Sequence, residues 1–533
     1  MPASLVMTNG HIYTLDPAQP KATAIAIQGD QIVAIGDDDP MKALLGQGGE
    51  WIDLGGRFVT PGLIDAHVHF QHFALNLQHV AIDGTMSYEE VLEHIVTFTR
   101  QNRSAGWLQG WGWSQDTWGD RGFPDAADLD AIVSDRPAYL LHKSGHAAWV
   151  NSMAMKLAHI DATTSDPPSG QIQRDDHGNP TGILFEDAMD LVATLIPRET
   201  PAEIATAMKQ AQAYCWSVGL TGVHDFDGRD CFLALQMLRE AGELGLRVVK
   251  NIPAYRMEYA LGVGLRSGFG DDWLRIGGVK IFADGALGSR TAAMLTPYEG
   301  EPENLGIVVT EKEEMLEKAQ QANAGGLSMT IHAIGDRANH DVLDVYELLR
   351  QEERKTNRPP LRHRIEHVQI LHPDDLDRLA KLNVIASMQP IHATSDIDMA
   401  NRHWGARARY SYAWRTIWDS GALVVFGSDA PVERIDPLPG IHAAVTRRRA
   451  NGYPGPGGWY PEERLTIDET LHAFTTAAAI TSGQENRQGS ISPGKLADLT
   501  IFDRNLLTTP ADELLDVGIA GTVVGGIFRH RTW

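Results

Sequence analysis

His67 and His69 close an apolar run, Val59-Thr60-Pro61-Gly62-Leu63-Ile64-Asp65-Ala66-His67-Val68-His69-Phe70. Side chains on a strand alternate between faces, so the two imidazoles point the same way. Two imidazoles on one face at a strand end can share a metal ion. A half-buried strand that merely carries two histidines is the bland alternative, and the pair alone does not exclude it. Downstream residues tip the balance. Lys280 lies in Gly278-Val279-Lys280-Ile281-Phe282, and His332 ends Thr330-Ile331-His332. His367 ends Arg364-Ile365-Glu366-His367, and Asp429 ends Val424-Val425-Phe426-Gly427-Ser428-Asp429. A core histidine is ordinary, but an unpaired lysine inside an apolar strand is costly to bury. Six such side chains, each ending or lying within a β-rich run, point to one shared centre.

The elements that would position them alternate in type. β-forming runs at 59–69, 138–142, 219–225, 275–282, 327–332, 362–368, 383–389 and 423–429 are separated by helical stretches. Eight such runs predict an α/β fold, a closed (β/α)8 TIM barrel, whose chemistry comes from C-terminal strand ends. An open doubly wound sheet is the alternative, and no Gly-rich dinucleotide fingerprint supports it. Helix starts are marked by Ser87 with Glu90, by Thr200-Pro201 ahead of a helix closing near Gly219, and by His372-Pro373-Asp374-Asp375.

Residues 1–58 read as short strands. Asn9-Gly10 predicts a hairpin between Leu5-Val6-Met7 and His11–Leu15, and Gly29-Asp30 predicts a second. So small a sheet lacks its own core, and strands at 497–502 and 521–528 would complete it. The expected organisation is therefore a small β-sandwich of 1–58 with 490–533, formed from both termini, and a barrel of 59–489. Within the barrel, 88–220 contains an insertion over the mouth. That region holds Trp107, Trp111, Trp113, Trp118 and Trp149. They form either an aromatic substrate lid, with Trp113 a contact, or a satellite core.

A formal net charge of −23 argues against a nucleic-acid partner. No apolar run reaches the roughly 20 residues of a membrane span, and no secretory leader is read at the start. Two cysteines, Cys215 and Cys231, exclude a disulfide framework and suit a reducing cytoplasm. A homodimer is the base-rate expectation.

The segments PGLIDAHVH (61–69), SGHAAWVN (144–151), GVKIFADGALGSRTA (278–292), IHAIGDRA (331–338), RIEHVQ (364–369), QPIH (389–392), FGSDAPV (426–432) and SPGKLADLTIFD (492–503) span nearly the whole chain. Together they resemble the metal-dependent amidohydrolase superfamily, and within it the YtcJ-like branch, amidohydrolase family 3, that includes N-substituted formamide deformylases. The resemblance implies a barrel beside a sandwich and a zinc-dependent hydrolase of small-molecule C–N bonds: an amide, formamide or cyclic amide. It implies that His67, His69 and Asp429 hold the more buried ion and that His332 and His367 hold a second. Lys280 matches a lysine that relatives carboxylate with CO2, and its carbamate would bridge the two. Beside zinc, water ionises near a pKa of about 7, and Asp429 would act as general base and acid. His146, Arg290 and His392 match positions expected to contact substrate, with His224 and Asp284 behind them. A non-catalytic or regulatory binding protein on the same scaffold is the competing reading, and a same-fold esterase or decarboxylase is a third.

Overall fold

The computed structural model describes residues 2–533 except 83, 84, 86, 103–105, 116, 117, 119–121, 144 and 145. Ser144 and Gly145 of the 144–151 motif lie outside the described residues. The chain divides into two compact units, Met1–Phe70 with Lys209–Trp533, and Gln71–Met208.

The first unit contains eight parallel strands in chain order: β1 (Leu63–Val68), β2 (Leu220–Asp225), β3 (Arg247–Pro253), β4 (Leu274–Phe282), β5 (Met329–Ala333), β6 (Arg364–His367), β7 (Ile385–Met388) and β8 (Val424–Phe426). The ends of the sheet meet where Val68 bridges Ala430. There the Asp429 amide donates to His67 O at 2.7 Å and the His69 amide to Ala430 O at 2.8 Å. The sheet thus closes on itself as an α/β barrel. Parallel strands are covered on both faces, which is why β5 (MTIHA) and β7 (IASM) are buried at every position. The Asp336–Thr356 helix between β5 and β6 buries Val342, Leu343, Val345, Tyr346 and Leu349 at helical spacing.

One of the eight expected barrel assignments changes. Residues 138–142 do form a strand, but it pairs with Leu108–Trp113 and Ala147–Val150 in the second unit. The missing barrel strand is β3, whose Arg247, Lys250 and Asn251 are all buried. Their partners come from far along the chain. Arg247 is paired with Asp498 at 2.7 Å, and Lys250 with Asp225 at 2.6 Å. Without those partners the stretch reads as surface.

Strands from both termini form two facing sheets. One holds Ala3–Thr8, Ala24–Gln28, Gln31–Gly36 and Leu45–Asp53. The other holds His11–Tyr13, Lys21–Ala22, Phe58–Pro61, Leu499–Phe502, Ile519–Val524 and Ile527–Arg531. Their common core includes Leu5, Ile25 and Ile27 from the first and Val59, Leu499 and Ile501 from the second. The hairpin expected at Gly29-Asp30 forms, with Gln28 opposite Gln31. The one expected at Asn9-Gly10 does not. Asn9 does adopt a left-handed φ of 56°, but the turn carries the chain from one sheet into the other. Two facing sheets bury more apolar surface than one isolated hairpin, so packing overrides the local signal. The sandwich is tied to the barrel by the Arg247–Asp498 pair and by Thr500, which accepts from the Leu63 amide at 3.1 Å and donates to Gly219 O at 2.7 Å.

The second unit has a six-stranded sheet running from Val80–Ala81 to Gly170–Arg174 at its edges. It therefore begins before the expected 88 and ends before β2, which belongs to the barrel. Tyr88, Trp113, Trp118, Leu140, Trp149 and Ile183 make its core. Ser87 caps the Tyr88–Gln101 helix by accepting from the Glu90 amide. Among the described residues no helix is long and apolar enough to cross a membrane.

Candidate metal centre

Four of the imidazoles expected from the sequence meet at the C-terminal strand ends of the barrel. His67 and His69 come from the end of β1, His332 from β5 and His367 from β6. Ring centroids lie 4.9 Å apart for His67 and His367, 4.6 Å for His332 and His367, and 5.9 Å for His67 and His69. Asp429, just beyond β8, places Oδ1 3.4 Å from His67 Nε2 and 3.5 Å from His69 Nε2. His392 joins from the other side, its Nε2 3.3 Å from Asp429 Oδ2. Two triads that include Asp429 have ligand atoms that could share an ion: His67, His69 and Asp429, and His367, His392 and Asp429. His367 and Asp429 both hold left-handed backbone, φ 78° and 61°. Such strain at non-glycine residues persists where surrounding structure over-determines it, and it concentrates at functional sites.

Partners around the ring fix which nitrogen faces inward. Glu366 Oε2 is 2.6 Å from His67 Nδ1, Asp227 Oδ1 is 3.0 Å from His69 Nδ1, and Gln389 Oε1 is 2.8 Å from His367 Nδ1. Each acceptor places the ring proton on Nδ1 and leaves Nε2 as the lone-pair atom. His332 is turned the other way. Its Nε2 lies 3.0 Å from Gly285 O, so Nδ1 is its lone-pair atom. His67 Nε2 is buried and, among the described residues, has no hydrogen-bond partner. A lone pair facing a carboxylate oxygen, both acceptors, is the arrangement a cation resolves. The donor set, imidazoles with a carboxylate, suits zinc and similar divalent ions.

The electrostatics agree. Burial holds the His67 and His367 imidazoles far below the ordinary histidine value and lowers His332 to about 4, so all three are neutral. Burial alone would raise Asp429; with His67 and His367 neutral, the cationic His392 hydrogen-bonded to it is the partner that keeps its carboxyl below the usual range. His392 is the exception among the rings. Burial opposes its charge, yet Asp429 and Glu433 raise it to about 10. Lys280, 5% exposed, is brought down to about 8 by burial, against the pull of Glu366 and Asp429. Its Nζ lies 4.7 Å from the Phe226 ring, on which His67 stacks at 4.0 Å.

The remaining expected site residues have partners of their own, and Asp284 Oδ1 lies 3.5 Å from His332 Nε2. Arg290 is half-exposed and paired with Glu301. His146 belongs to the second unit, exposed, with Nδ1 3.1 Å from Glu186. Trp113 is a correction: it is fully buried, donates its indole N–H to Leu140 O at 2.8 Å, and is packed against Trp118 and Trp149. An indole closed in on all sides presents no face to a ligand. Asp284 accepts from the amides of Ala293, Ile334 and Gly335, which makes it the anchor of the loop after β4. His224 lies 3.2 Å from Arg364 Nη1 inside the barrel. Sequence reading missed Glu366, Asp227 and Gln389. A carboxylate inside an apolar strand, as in Ile365-Glu366-His367, was the available signal for the first.

A (β/α)8 barrel with neutral imidazoles and an ionised carboxylate gathered at its strand ends is the architecture of a metal-dependent hydrolase. A family model described as the amidohydrolase family matches residues 50–529, and the chain belongs to that family. It is 33% identical to "Protein LONG AFTER FAR-RED 3" of Arabidopsis thaliana, covering 98% of this chain and 91% of the relative. It is 30% identical to "Putative amidohydrolase YtcJ" of Bacillus subtilis, over 97% of each chain. Identity is 28% to an N-substituted formamide deformylase of Arthrobacter pascens, over 99% and 98%. A solved structure of an uncharacterised metal-dependent hydrolase from Pyrococcus furiosus superposes with a TM-score of 0.77 at 30% identity, covering 95% of this chain and all of that one.

Proposed function

We propose that the protein hydrolyses a C–N bond, in an amide, formamide or cyclic amide, at a centre of two zinc ions. The observation that carries this is the buried, partnerless His67 Nε2 3.4 Å from Asp429 Oδ1. His67, His69 and Asp429 would hold one ion, and His332 and His367 the other. Lys280, with its pKa depressed toward 8, offers the neutral amine that CO2 requires, and its carbamate would lie between the ions. When bound, divalent zinc supplies a Lewis acid for the carbonyl and makes water acidic enough to react near neutral pH.

Asp429, ionised and at the centre, takes the water's proton on a carboxylate oxygen and returns it to the leaving nitrogen. His392, cationic between Asp429 and Glu433, stands beside the carboxylate as a donor for developing oxyanion charge. A homodimer in a reducing cytoplasm completes the reading, and the buried free thiols Cys215 and Cys231 suit it.

The test is metal analysis of the purified chain followed by a panel of formamides, amides, cyclic amides and esters. Turnover of a C–N substrate that falls at least about 100-fold in Asp429→Asn supports the reading. Ester-only turnover, or C–N activity unchanged by chelator, contradicts it.

A further inference from the structure

At the opposite end of the barrel, below the N-terminal ends of β4, β5 and β6, lies a cavity of about 220 Å³. That is several times the roughly 30 Å³ share of one water molecule. Arg275, Arg362, Arg364 and His224 line it, with the hydroxyls of Ser267 and Ser328. No carboxylate lines it, in a chain whose formal charge is −23. Three guanidinium groups sharing one cavity repel one another unless negative charge is present.

Only part of that charge is supplied by the protein. Arg362 is matched by Glu485, at 2.6 and 2.9 Å, and Arg364 by Glu366 at 2.6 Å, both carboxylates lying outside the cavity. Arg275 has a neutral partner: with its amide oxygen turned toward the guanidinium, Gln484 accepts from Nη1 and Nε at 2.6 and 3.1 Å. Among the described residues no carboxylate lies within ion-pair distance of Arg275. At the inner wall Arg364 is 2% exposed, and among the described residues its Nη2 has no hydrogen-bond partner. A buried guanidinium N–H without an acceptor is costly, and an anion's oxygens are the acceptors such groups prefer.

We propose that this cavity is a binding site for a small oxyanion, a carboxylate or a phosphate, held by Arg275 and Arg364 at the N-terminal strand ends of the barrel. The site stands on its own residues and does not depend on which bond the enzyme cleaves. Its inner arginine touches Glu366, the carboxylate that holds His67 Nδ1.

The test is calorimetric titration of inorganic phosphate, and separately of acetate, into the metal-loaded full chain at constant ionic strength. One-site saturable binding of at least one anion is expected, phosphate alone marking a phosphate ligand and acetate a carboxylate. Arg275→Gln should weaken it about tenfold or more, and Arg275→Lys, which keeps the charge but not the planar fork, should weaken it less. The thermal midpoint read in parallel should rise with the anion in the parent and not in Arg275→Gln. Absence of saturable binding with both anions overturns the proposal. So does unchanged affinity in Arg275→Gln, the result an anion held at the metal ions would give.

Discussion

Each imidazole of the centre is held by a second group, and that group decides what the ring can do. Glu366 does most for His67: its Oε2 is 2.6 Å from Nδ1, while its other oxygen faces Arg364. A neutral amide there can accept from Nδ1 but no longer balances Arg364. Glu366→Gln should therefore weaken metal affinity about 10- to 100-fold, as outer-shell substitutions at ligating histidines do. Competition against a chelator of known affinity measures it, and parent-like affinity would remove Glu366 from the site. The proposed ligands His67, His69, Lys280, His332, His367 and Asp429 stand out in the sequence because each breaks the chemistry of an apolar strand. Their supports do not. Asp227 follows β2 and Gln389 stands at the start of the short helix after β7, positions where a carboxylate or amide is unremarkable, and only the fold shows whose ring they hold.

The elements are held by buried pairs between residues far apart in sequence. Arg247 in β3 and Asp498 in the sandwich, 251 positions apart, make two bonds of 2.7 and 2.9 Å. Asp498→Ala leaves that guanidinium buried and uncompensated, which should lower stability by about 3–5 kcal/mol. Scanning calorimetry should show a drop in the midpoint, and a change within error would mean the pair contributes nothing net. The Asp336–Thr356 helix ends in a second pair, Arg350–Glu353 at 2.7 Å. Burial alone would raise Glu353, but His363, Arg350 and the Leu361 amide hold it at about 2. A carboxylate depressed on folding adds stability above its unfolded value of about 4.5, and that stability is lost as pH falls toward 2. The contribution is on the order of 3 kcal/mol. Glu353→Gln should therefore be less stable than the parent at pH 7, with the difference shrinking between pH 4.5 and 2. Denaturant titration at a series of pH values checks the sign.

For the molecule as a whole, the metal centre links β1, β5, β6 and the segment after β8, so ions bound there stabilise the folded barrel by mass action. At a free ion concentration of 100 times the dissociation constant this amounts to about 2.7 kcal/mol. Chelation should speed amide exchange in β1 and β6 while leaving 108–113 and 138–142, in the other compact unit, unchanged; uniform loss of protection would contradict this. The barrel, the β domain beside it and the candidate ligands were readable from the sequence itself, because strand periodicity and ill-placed polar residues are local properties. Which strands make up the barrel was not. Residues 138–142 are as apolar as any barrel strand, and Arg247–Pro253 looks like surface until Asp498 and Asp225 arrive to neutralise it. Likewise Trp113 became core and Asn9-Gly10 a crossing between sheets only through packing. Burial and charge compensation are made by residues hundreds of positions apart, so only the tertiary structure could assign them.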